Sequence, residues 1–516
     1  MTDDAMTAEH KLLAELNRTF PDACFTDTEM LDKKSSDCGT GNLFCQTNKA
    51  KPLCVVRPGK DYNEQLVRLV ELARDYNKKI IVRGGGSGVC GAFNVRGSEM
   101  VVDMTQLNKL VLLQEPTTER EGLVLAEAGV FGDKLDEFLK PKGFTHGHYP
   151  ASLAVSTVGG WLSTKSNGHY SLYFGNIENL VVAVEGVNGR GKIVRFRGAD
   201  LKNVFRMEGT TMIVTRVWLK VFTIPAHDEF LSFRFDCIGN MACFLKKMPG
   251  MRNRLNAHGV RLYTVRAYDF IDYKFGSKPD KDSGHKSWLK KRVNYFIEKQ
   301  LCRMTRTVSR MADALEKYGL MPWTVVVYMA SDSKKALTQA AELLKEESEI
   351  HNGTDLGPTI AQNWYSHRFK LGYDKVTERF HAGITVDTFD CPVAWNELIG
   401  AYEKIKAALS RFGLASAHIG IDLDTPYLYF IFGIAGKNRQ KHRAVKEAIL
   451  RTCVNDGIAT THHHGIGDED SGKAGQGKVF VPYAYGKNWH NNVTVPAKRE
   501  MDPDNIFSDH LFTDLN

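Results

Sequence analysis

Two glycine-rich stretches constrain the fold of this 516-residue chain more than any other feature. The first, Arg83 to Val89, reads RGGGSGV and follows a short apolar strand that ends at Val82. The second, His146 to Val181, is dense in Ser, Thr and Gly, which build apolar cores poorly. Glycines let backbone N–H groups approach an anion closely, because no Cβ blocks the way. The two stretches therefore predict a cradle for a phosphate-bearing cofactor, with a tight turn and a surface loop as the plainer alternatives.

The same sequence argues against several other common ligand sites and against several cellular locations. The glycine loop lacks Rossmann spacing, and Gly472–Lys478, which has Walker spacing, precedes Val479 where Ser or Thr is needed. The net charge of +8 comes without a nucleic-acid motif, so no nucleic-acid partner is expected. Ten scattered cysteines without zinc spacing predict free thiols. With no signal-peptide core, transmembrane stretch or C-terminal peroxisomal tripeptide, we expect a cytoplasmic protein.

Hydrophobic periodicity divides the chain into four parts. Residues 1–50 read as a helix and an irregular segment, and residues 51–225 alternate short Val/Ile runs with helical periods. Residues 226–450 read as a second α+β domain, and residues 451–516 as a C-terminal segment. The clearest predicted strands and helices are strands 79–82, 230–235, 323–329, 383–387 and 427–433, and helices 7–18, 62–76, 333–347 and 393–411.

The C-terminal region carries the residues best suited to proton transfer. His462, His463 and His464 are adjacent and precede a Gly-Ile-Gly turn. Imidazoles titrate near neutral pH, so acid–base catalysis is one interpretation. Metal binding and a structural loop are the others, although adjacent residues rarely aim three rings at one ion, and no metal is predicted. Tyr429 lies in the strand LYFIF, where an aromatic residue is most often part of the core.

Several segments together resemble the FAD-linked oxidases, which have the vanillyl-alcohol-oxidase type of fold, and within them most resemble the alkylglycerone-phosphate (alkyl-DHAP) synthases. The likeness covers about residues 52–516 and is carried by the glycine loop, STVGGWL at 156–162, FGNIENLVV at 174–182 and HHHGIG at 462–467. It implies an α+β protein with a PCMH-type FAD-binding domain of two α+β subdomains. An α+β substrate (cap) domain with an antiparallel sheet and flanking helices follows, and the HHHGIG loop returns to the FAD domain. The glycine loop lacks the histidine that links flavin in many relatives, so non-covalent FAD is expected.

The resemblance also implies roles for individual residues. The catalytic set is Tyr429, His462, His463, His464 and Arg261. Lys375 stands where the family has a substrate-binding arginine; lysine keeps the charge but loses bidentate recognition of phosphate. The expected FAD contacts are Arg83, Gly84, Gly85, Gly86, Ser87, Gly88, Val89, Pro150, Ser152, Ser156, Thr157, Gly159, Gly160, Thr164, Ser166, Gly175, Ile177, Glu208, Gly209, Thr210, Ile213 and Val214. The chain departs from the family at Tyr149 and Ala151, at Met212 and at the acidic residues 468–470.

The resemblance implies an activity in ether-lipid synthesis: the acyl chain of an acyl-dihydroxyacetone phosphate is exchanged for a fatty alcohol, with no net redox change. The alternative is an FAD-linked dehydrogenase or oxidase of a 2-hydroxy acid such as D-lactate or glycolate. A third hypothesis is a flavin-binding subunit for association or electron relay. The HHHGIG sequence favours the synthase, because the hydroxy-acid dehydrogenases usually carry EHGIG.

Residues 286–310 combine eight Lys or Arg with apolar residues at helical spacing. This pattern predicts a basic amphipathic helix for peripheral membrane contact. A solvated helix packed on the domain is the alternative. The expected substrate is a small molecule or a lipid, and the sequence leaves open whether the chain forms a homodimer.

Overall fold

The structure is a computed structural model of the chain. It describes residues 3–45, 50–276, 286–304, 318–370, 372–467, 480–486 and 488–512, together with Met311 and Leu315. The acidic segment 468–470 and the end of the predicted amphipathic helix, 305–310, lie outside the described residues. Within the described ranges, no helix has both the length and the apolar character needed to cross a bilayer.

The first sheet is small and mostly parallel. Its strands are β1 (Cys24–Phe25), β2 (Cys54–Val56), β3 (Ile80–Arg83) and β4 (Met100–Asp103). Their order is β1-β2-β4-β3, with only β1 antiparallel to its neighbour. Strands β2 and β4 are buried along their whole length, which explains their unbroken apolar runs.

The second sheet is antiparallel and completes the N-terminal half. Its strands are β5 (Leu110–Gln114), β6 (Gly122–Glu127), β7 (Phe144–Thr145), β8 (Val181–Asn188), β9 (Ile193–Arg197) and β10 (Met212–Thr223). The order is β5-β6-β10-β8-β9, and β7 pairs with the end of β10. The helices of this half are α1 (Asp3–Thr19), α2 (Thr28–Lys34), α3 (Tyr62–Asp75), α4 (Gly132–Leu139), α5 (Val158–Ser163) and α6 (Ser171–Phe174).

The third sheet belongs to the following region and is antiparallel throughout. Its strands are β11 (His227–Phe235), β12 (Val260–Tyr268), β13 (Trp323–Ser331), β14 (Thr354–Asp355), β15 (Ile384–Pro392), β16 (Leu414–Asp422) and β17 (Thr425–Ala435). Their order is β14-β11-β13-β12-β16-β17-β15. The helices are α7 (Ile238–Asn256), α8 (Lys286–Arg303), α9 (Lys334–Ile350), α10 (Thr359–His367), α11 (Tyr373–His381), α12 (Leu398–Ser410) and α13 (Arg439–Asn455).

Alternation along β17 separates the core from the site. Leu428, Phe430 and Phe432 belong to the hydrophobic core beneath the helices. Tyr427, Tyr429 and Ile431, at the intervening positions, line the large cavity described below. Successive strand residues face opposite sides of a sheet, so one strand serves both purposes.

The C-terminal residues return to the N-terminal half, as the resemblance implied. Phe507 forms a parallel bridge with Ile80, and α14 (Val495–Met501) carries the fully buried Lys498. The Lys498 ammonium contacts Asp502 at 2.6 Å and donates to the Thr210 carbonyl oxygen at 2.8 Å.

The predicted α+β fold class is confirmed. The named strands and helices are present, with longer or shifted ends. The sequence missed β12 as a complete strand, and it missed β5, β9 and β16. The division into four parts stays a prediction.

Candidate active site

A cavity of about 1320 Å³ lies between the glycine-rich stretches and the exposed side of the third sheet. The glycine loop lines one wall, and residues of β12, β16 and β17 line another. Drug-sized ligands usually occupy pockets of about 300–1,000 Å³. The cavity is therefore large enough for a dinucleotide together with a second ligand.

The glycine loop needs glycine because it packs directly on the second glycine-rich stretch. A Cβ on Gly84 would overlap the Thr157 side chain, and a Cβ on Gly85 would overlap the Val155 carbonyl oxygen. Gly86 has a φ of +82°, which side-chain-bearing residues rarely adopt. Thr157 Oγ1 is buried and bonds no other described residue. A bound cofactor in this cradle would satisfy that hydroxyl.

Most of the residues predicted to contact FAD line the cavity. They are Gly84, Gly85, Gly86, Ser87, Gly88, Val89, Pro150, Ser152, Ser156, Thr157, Gly159, Gly160, Thr164, Ser166, Glu208, Gly209 and Val214. The departures from the family pattern at Ala151 and Met212 also line it. Tyr149 instead donates a hydrogen bond to Asp136 at 2.8 Å, away from the cavity lining.

The remaining predicted contacts lie outside the cavity lining. Ile177 and Ile213 are fully buried in two hydrophobic clusters. Gly175 ends α6 with a φ of +76°, and Thr210 donates its hydroxyl to the Met207 carbonyl oxygen at 2.6 Å. The Arg83 guanidinium lies over the Phe93 ring at 5.4 Å. These five residues are not part of the cavity lining, and their contacts with FAD stay a prediction.

Tyr429 lies between His418, on a neighbouring strand, and His463, on the histidine loop that the other neighbouring strand holds. His418 is its direct partner on β16, and the two rings stack with centroids 4.5 Å apart and an interplanar angle of 11°. On the other side, Asp390 of β15 pairs with Tyr429 and holds His463, whose ring centroid is 5.9 Å from that of Tyr429. Burial raises the pKa of the Tyr429 hydroxyl, which keeps it protonated at neutral pH.

Asp390 anchors the histidine loop. Its carboxylate accepts the backbone N–H groups of His462 and His463 at 2.8 and 2.7 Å. The same carboxylate contacts Nδ1 of His463 at 3.1 Å and Nδ1 of His464 at 2.7 Å. Burial opposes its ionisation, yet His464 and His463 hold the pKa of Asp390 well below its usual range. Burial lowers the pKa of His463 to about 3, so this imidazole is neutral at pH 7.

The three histidines have different surroundings in the structure. His463 and His464 line the cavity, whereas His462 stacks on Tyr427 with ring centroids 4.4 Å apart. Potential metal-ligating atoms of Asp390, His462 and His463 lie within 4.8 Å of one another. The Asp390 carboxylate, however, is already occupied by two backbone N–H groups and two imidazoles. This arrangement suits an orienting carboxylate better than a metal ligand.

Glu208 fixes the other end of the histidine loop. One of its oxygens accepts the Ile466 N–H at 2.8 Å, and the other accepts the Gly467 N–H at 3.0 Å. The second oxygen also lies 3.1 Å from Nε2 of His510. Glu208 was expected only as an FAD contact. The structure shows that it ties the N-terminal half to the loop and to the C-terminal residues.

Arg261, predicted to lie at the flavin, is outside the cavity lining. Its guanidinium donates to the Thr223 carbonyl oxygen at 2.7 Å, near the end of β10. Arg266, near the other end of β12, does line the cavity and donates to the Tyr427 hydroxyl at 2.9 Å. A register shift between Leu262 and Thr264 separates the two arginines. A second VR pair on the same strand was the signal that could have pointed to Arg266.

Sequence reasoning also missed His418 and its carboxylate partner. Nδ1 of His418 lies 2.8 Å from Oδ2 of Asp272, which follows β12. Lys375 lines the cavity from α11, and its predicted substrate binding stays a prediction. Arg368 and Lys370, between α10 and α11 in the chain, line the cavity as well.

Comparisons with known proteins agree with this geometry. The FAD binding domain family matches residues 52–197, and the C-terminal domain family of FAD linked oxidases matches residues 296–509. Alkyldihydroxyacetonephosphate synthase of Caenorhabditis elegans is 25% identical over 90% of this chain and 76% of the relative. The enzyme of the same name from Trypanosoma brucei brucei is 26% identical over 88% of this chain and 72% of the relative. D-lactate dehydrogenase of Archaeoglobus fulgidus is 26% identical over only 34% of this chain and 39% of the relative.

Solved structures share the fold. A solved alkyldihydroxyacetonephosphate synthase has a TM-score of 0.70 at 22% identity, covering 96% of this chain and 84% of the other. p-Cresol methylhydroxylase with bound substrate has a TM-score of 0.69 at 12% identity, covering 98% and 96%. At these identities the likeness establishes the fold alone.

Proposed function

Because the chain belongs to the FAD-linked oxidase family, we propose that it is an alkyl-DHAP synthase that holds FAD non-covalently in the cavity. One observation carries the proposal: relatives named as synthases match about nine-tenths of the chain, whereas the hydroxy-acid dehydrogenase matches about a third. The intact HHHGIG loop beside Tyr429 supports the same choice. The reaction exchanges the acyl chain of an acyl-dihydroxyacetone phosphate for a fatty alcohol.

The cofactor cradle consists of the glycine loop and the second glycine-rich stretch. Residues 84–89 offer backbone N–H groups and one serine hydroxyl, and none of them is the histidine through which many relatives link flavin. The buried Thr157 hydroxyl offers a further polar contact. When bound, FAD supplies the redox-active isoalloxazine ring at which the substrate reacts.

The chain's own residues bind the substrate and move protons. Lys375, with Arg368 and Lys370 nearby, would hold the phosphate group by charge. Tyr429 and neutral His463 would exchange protons with substrate oxygens, and Asp390 would keep the His463 ring in one orientation. Proton transfer by positioned groups typically contributes about 10²–10⁴ in rate.

Membrane contact is part of the proposal. Helix α8 faces the cavity with Glu298, Leu301 and Cys302. Its outer surface leaves Phe296 63% exposed and Ile297 51% exposed. Large exposed apolar side chains on a basic helix suit the interface of an anionic membrane. A lipid substrate would then enter the cavity beside α8.

The test is product analysis with purified, FAD-loaded protein. We expect an acyl-dihydroxyacetone phosphate and a fatty alcohol to yield free fatty acid and the alkyl ether, without consumption of an electron acceptor. Oxidation of a 2-hydroxy acid with anaerobic bleaching of the flavin, and no ether product, would replace the synthase by the dehydrogenase. The same samples, denatured and filtered, should release FAD; flavin retained on the unfolded chain would contradict non-covalent binding.

A further inference from the structure

The proposed function uses one of the two histidine–carboxylate pairs beside Tyr429. The unused pair is His418 with Asp272, joined by the 2.8 Å contact between Nδ1 and Oδ2. His418 is the direct cross-strand partner of Tyr429 and lines the cavity. His418 and His463 thus both line the cavity beside Tyr429, His418 from β16 and His463 from the histidine loop.

Asp272 fixes the proton arrangement on the His418 ring. A carboxylate accepts from Nδ1–H, so in the neutral ring the lone pair lies on Nε2. Burial lowers the pKa of His418, although Asp272 opposes this effect, and the ring is neutral at pH 7. The titratable and charged groups around His418 include Asp272, which follows β12, Tyr268 and Arg266 on β12, Tyr429 on β17, His464 of the loop, and His169.

His418 stands at one end of a row of cavity-lining residues on β16. These residues are Leu414, Ser416 and His418, in that order. Ser416 pairs with Ile431 and Leu414 pairs with Gly433, so the apolar side chains of Leu414 and Ile431 lie on the wall beyond His418, together with the hydroxyl of Ser416. Leu301 and Cys302 of α8 line this same cavity. An aliphatic chain lying along this wall would place its head group beside His418.

We propose that His418 accepts the hydroxyl proton of the incoming fatty alcohol, an inference that rests on the proposed function. Over the complete exchange, the O–H bond of the alcohol breaks and an N–H bond forms at Nε2. The electron pair of that O–H bond stays on the oxygen, which forms the ether bond to the substrate carbon. The bond between this carbon and the acyl oxygen breaks, and the fatty acid leaves as a carboxylate with the electron pair. His418 then releases its proton to water, so no oxidant or reductant is needed.

The experiment measures alkyl ether formation by FAD-loaded His418→Ala with and without imidazole. We expect a loss of about 100-fold, as is typical when an acid–base group is removed, at unchanged flavin content. Added imidazole should restore at least a tenth of the wild-type rate by occupying the vacated space. His418→Asn, which retains a donor for Asp272 but no base, serves if the alanine variant folds poorly, and should show the same loss.

The control is His351→Ala, which removes a histidine with its own carboxylate partner, Glu347 at 3.1 Å, outside the cavity lining; this variant should keep the wild-type rate and be unaffected by imidazole. Near-normal ether formation by both His418 variants, or a loss in His418→Ala that imidazole does not restore, overturns the role of His418. Absence of ether product from the wild type instead overturns the proposed function, so the two failures are distinguishable.

Discussion

A single hydroxyl at Tyr429 decides whether this strand residue is catalytic. The aromatic packing between His418 and His463 depends on the ring, and phenylalanine preserves it. Tyr429→Phe should therefore keep its FAD content and melting temperature but lose turnover by about 100-fold. His463→Ala should lose a similar factor. Steady-state ether formation and flavin absorbance per protein check both variants.

The matched control for this substitution is Tyr402→Phe. Tyr402 lies on α12, outside the cavity lining, where Lys406 donates to its hydroxyl at 2.9 Å. Its removal should leave turnover unchanged. Full activity in both Tyr429→Phe and His463→Ala, with normal flavin content, would show that these residues only pack, and the proton carriers would have to be sought elsewhere on the wall.

A substitution at Gly160 can test FAD binding without disturbing the fold. A Cβ on Gly160 would meet only Thr157 Oγ1, at 3.3 Å, whereas a Cβ on Gly85 would overlap backbone. Gly160 lies in α5 and lines the cavity, so Gly160→Ala should fold at least as well as wild type without FAD. We expect the variant to bind FAD more weakly, because the new methyl group occupies space beside the ligand.

The measurement is a pair of melting curves for the apoprotein and the FAD-loaded protein. A ligand that binds only the folded state raises the melting temperature in proportion to its binding free energy. Gly160→Ala should show a smaller FAD-induced rise than wild type, with an apoprotein curve at or above the wild-type one. An undiminished FAD-induced rise would remove Gly160 from the cofactor site.

The histidine loop, as an element, is held by carboxylates from two separate regions. Asp390 of β15 binds its beginning, and Glu208, before β10, binds its end. Glu208→Gln replaces one acceptor oxygen by a donor that must face an N–H group, and buried unsatisfied donors cost about 1–3 kcal/mol each. We expect faster hydrogen exchange at 461–467, lower turnover and a lower melting temperature.

Glu178→Gln is the control for the Glu208 variant. Glu178 pairs with Arg206 at 2.6 Å and, among the described residues, forms no hydrogen bond or ion pair with the histidine loop. Hydrogen exchange at 461–467 should therefore stay at the wild-type rate in this control. Equal exchange in Glu208→Gln and wild type would show that Asp390 alone orders the loop.

The sequence predicted some of these elements and missed others. Strands with long apolar runs, such as β10 and β17, were recognised because both periodicity and length are informative. Strand β16 was missed because small residues and His418 interrupt its apolar pattern. The contacts of His418 could therefore not be predicted either. Arg261 was predicted from the resemblance alone, and the sequence does not show the register shift in β12 that separates Arg261 from Arg266. The role of Glu208 in holding the histidine loop could not be predicted, because its hydrogen-bond partners lie more than 250 residues away in the sequence.

At the scale of the whole molecule, the cavity is lined by residues of both halves of the chain, and α8 contributes to its wall. The resemblance supplied the α+β organisation and the glycine-rich wall of the cavity, because glycine-rich motifs are local in sequence. It could not supply the placement of His418, Asp272 or Arg266, which depends on the order β12-β16-β17-β15. Strand order depends on contacts between residues that are far apart in the sequence, so it can seldom be predicted from a single sequence.

Membrane association tests how the whole molecule meets its substrate. We expect the protein to sediment with vesicles that contain anionic lipid, and to do so less as salt is added, because basic residues of α8 are attracted to the surface. Charge reversal at Lys290, Lys291 and Arg292 to Glu should weaken sedimentation strongly, since each basic residue near such a surface contributes about 1 kcal/mol. Phe296→Asp should weaken it further by removing an apolar anchor that is 63% exposed.

The control is Ile193→Asp, a comparably exposed apolar residue on β9 in the other half of the chain. If the α8 variants and the Ile193 control sediment equally with the vesicles, α8 is a solvated surface helix and the lipid must reach the cavity by another route.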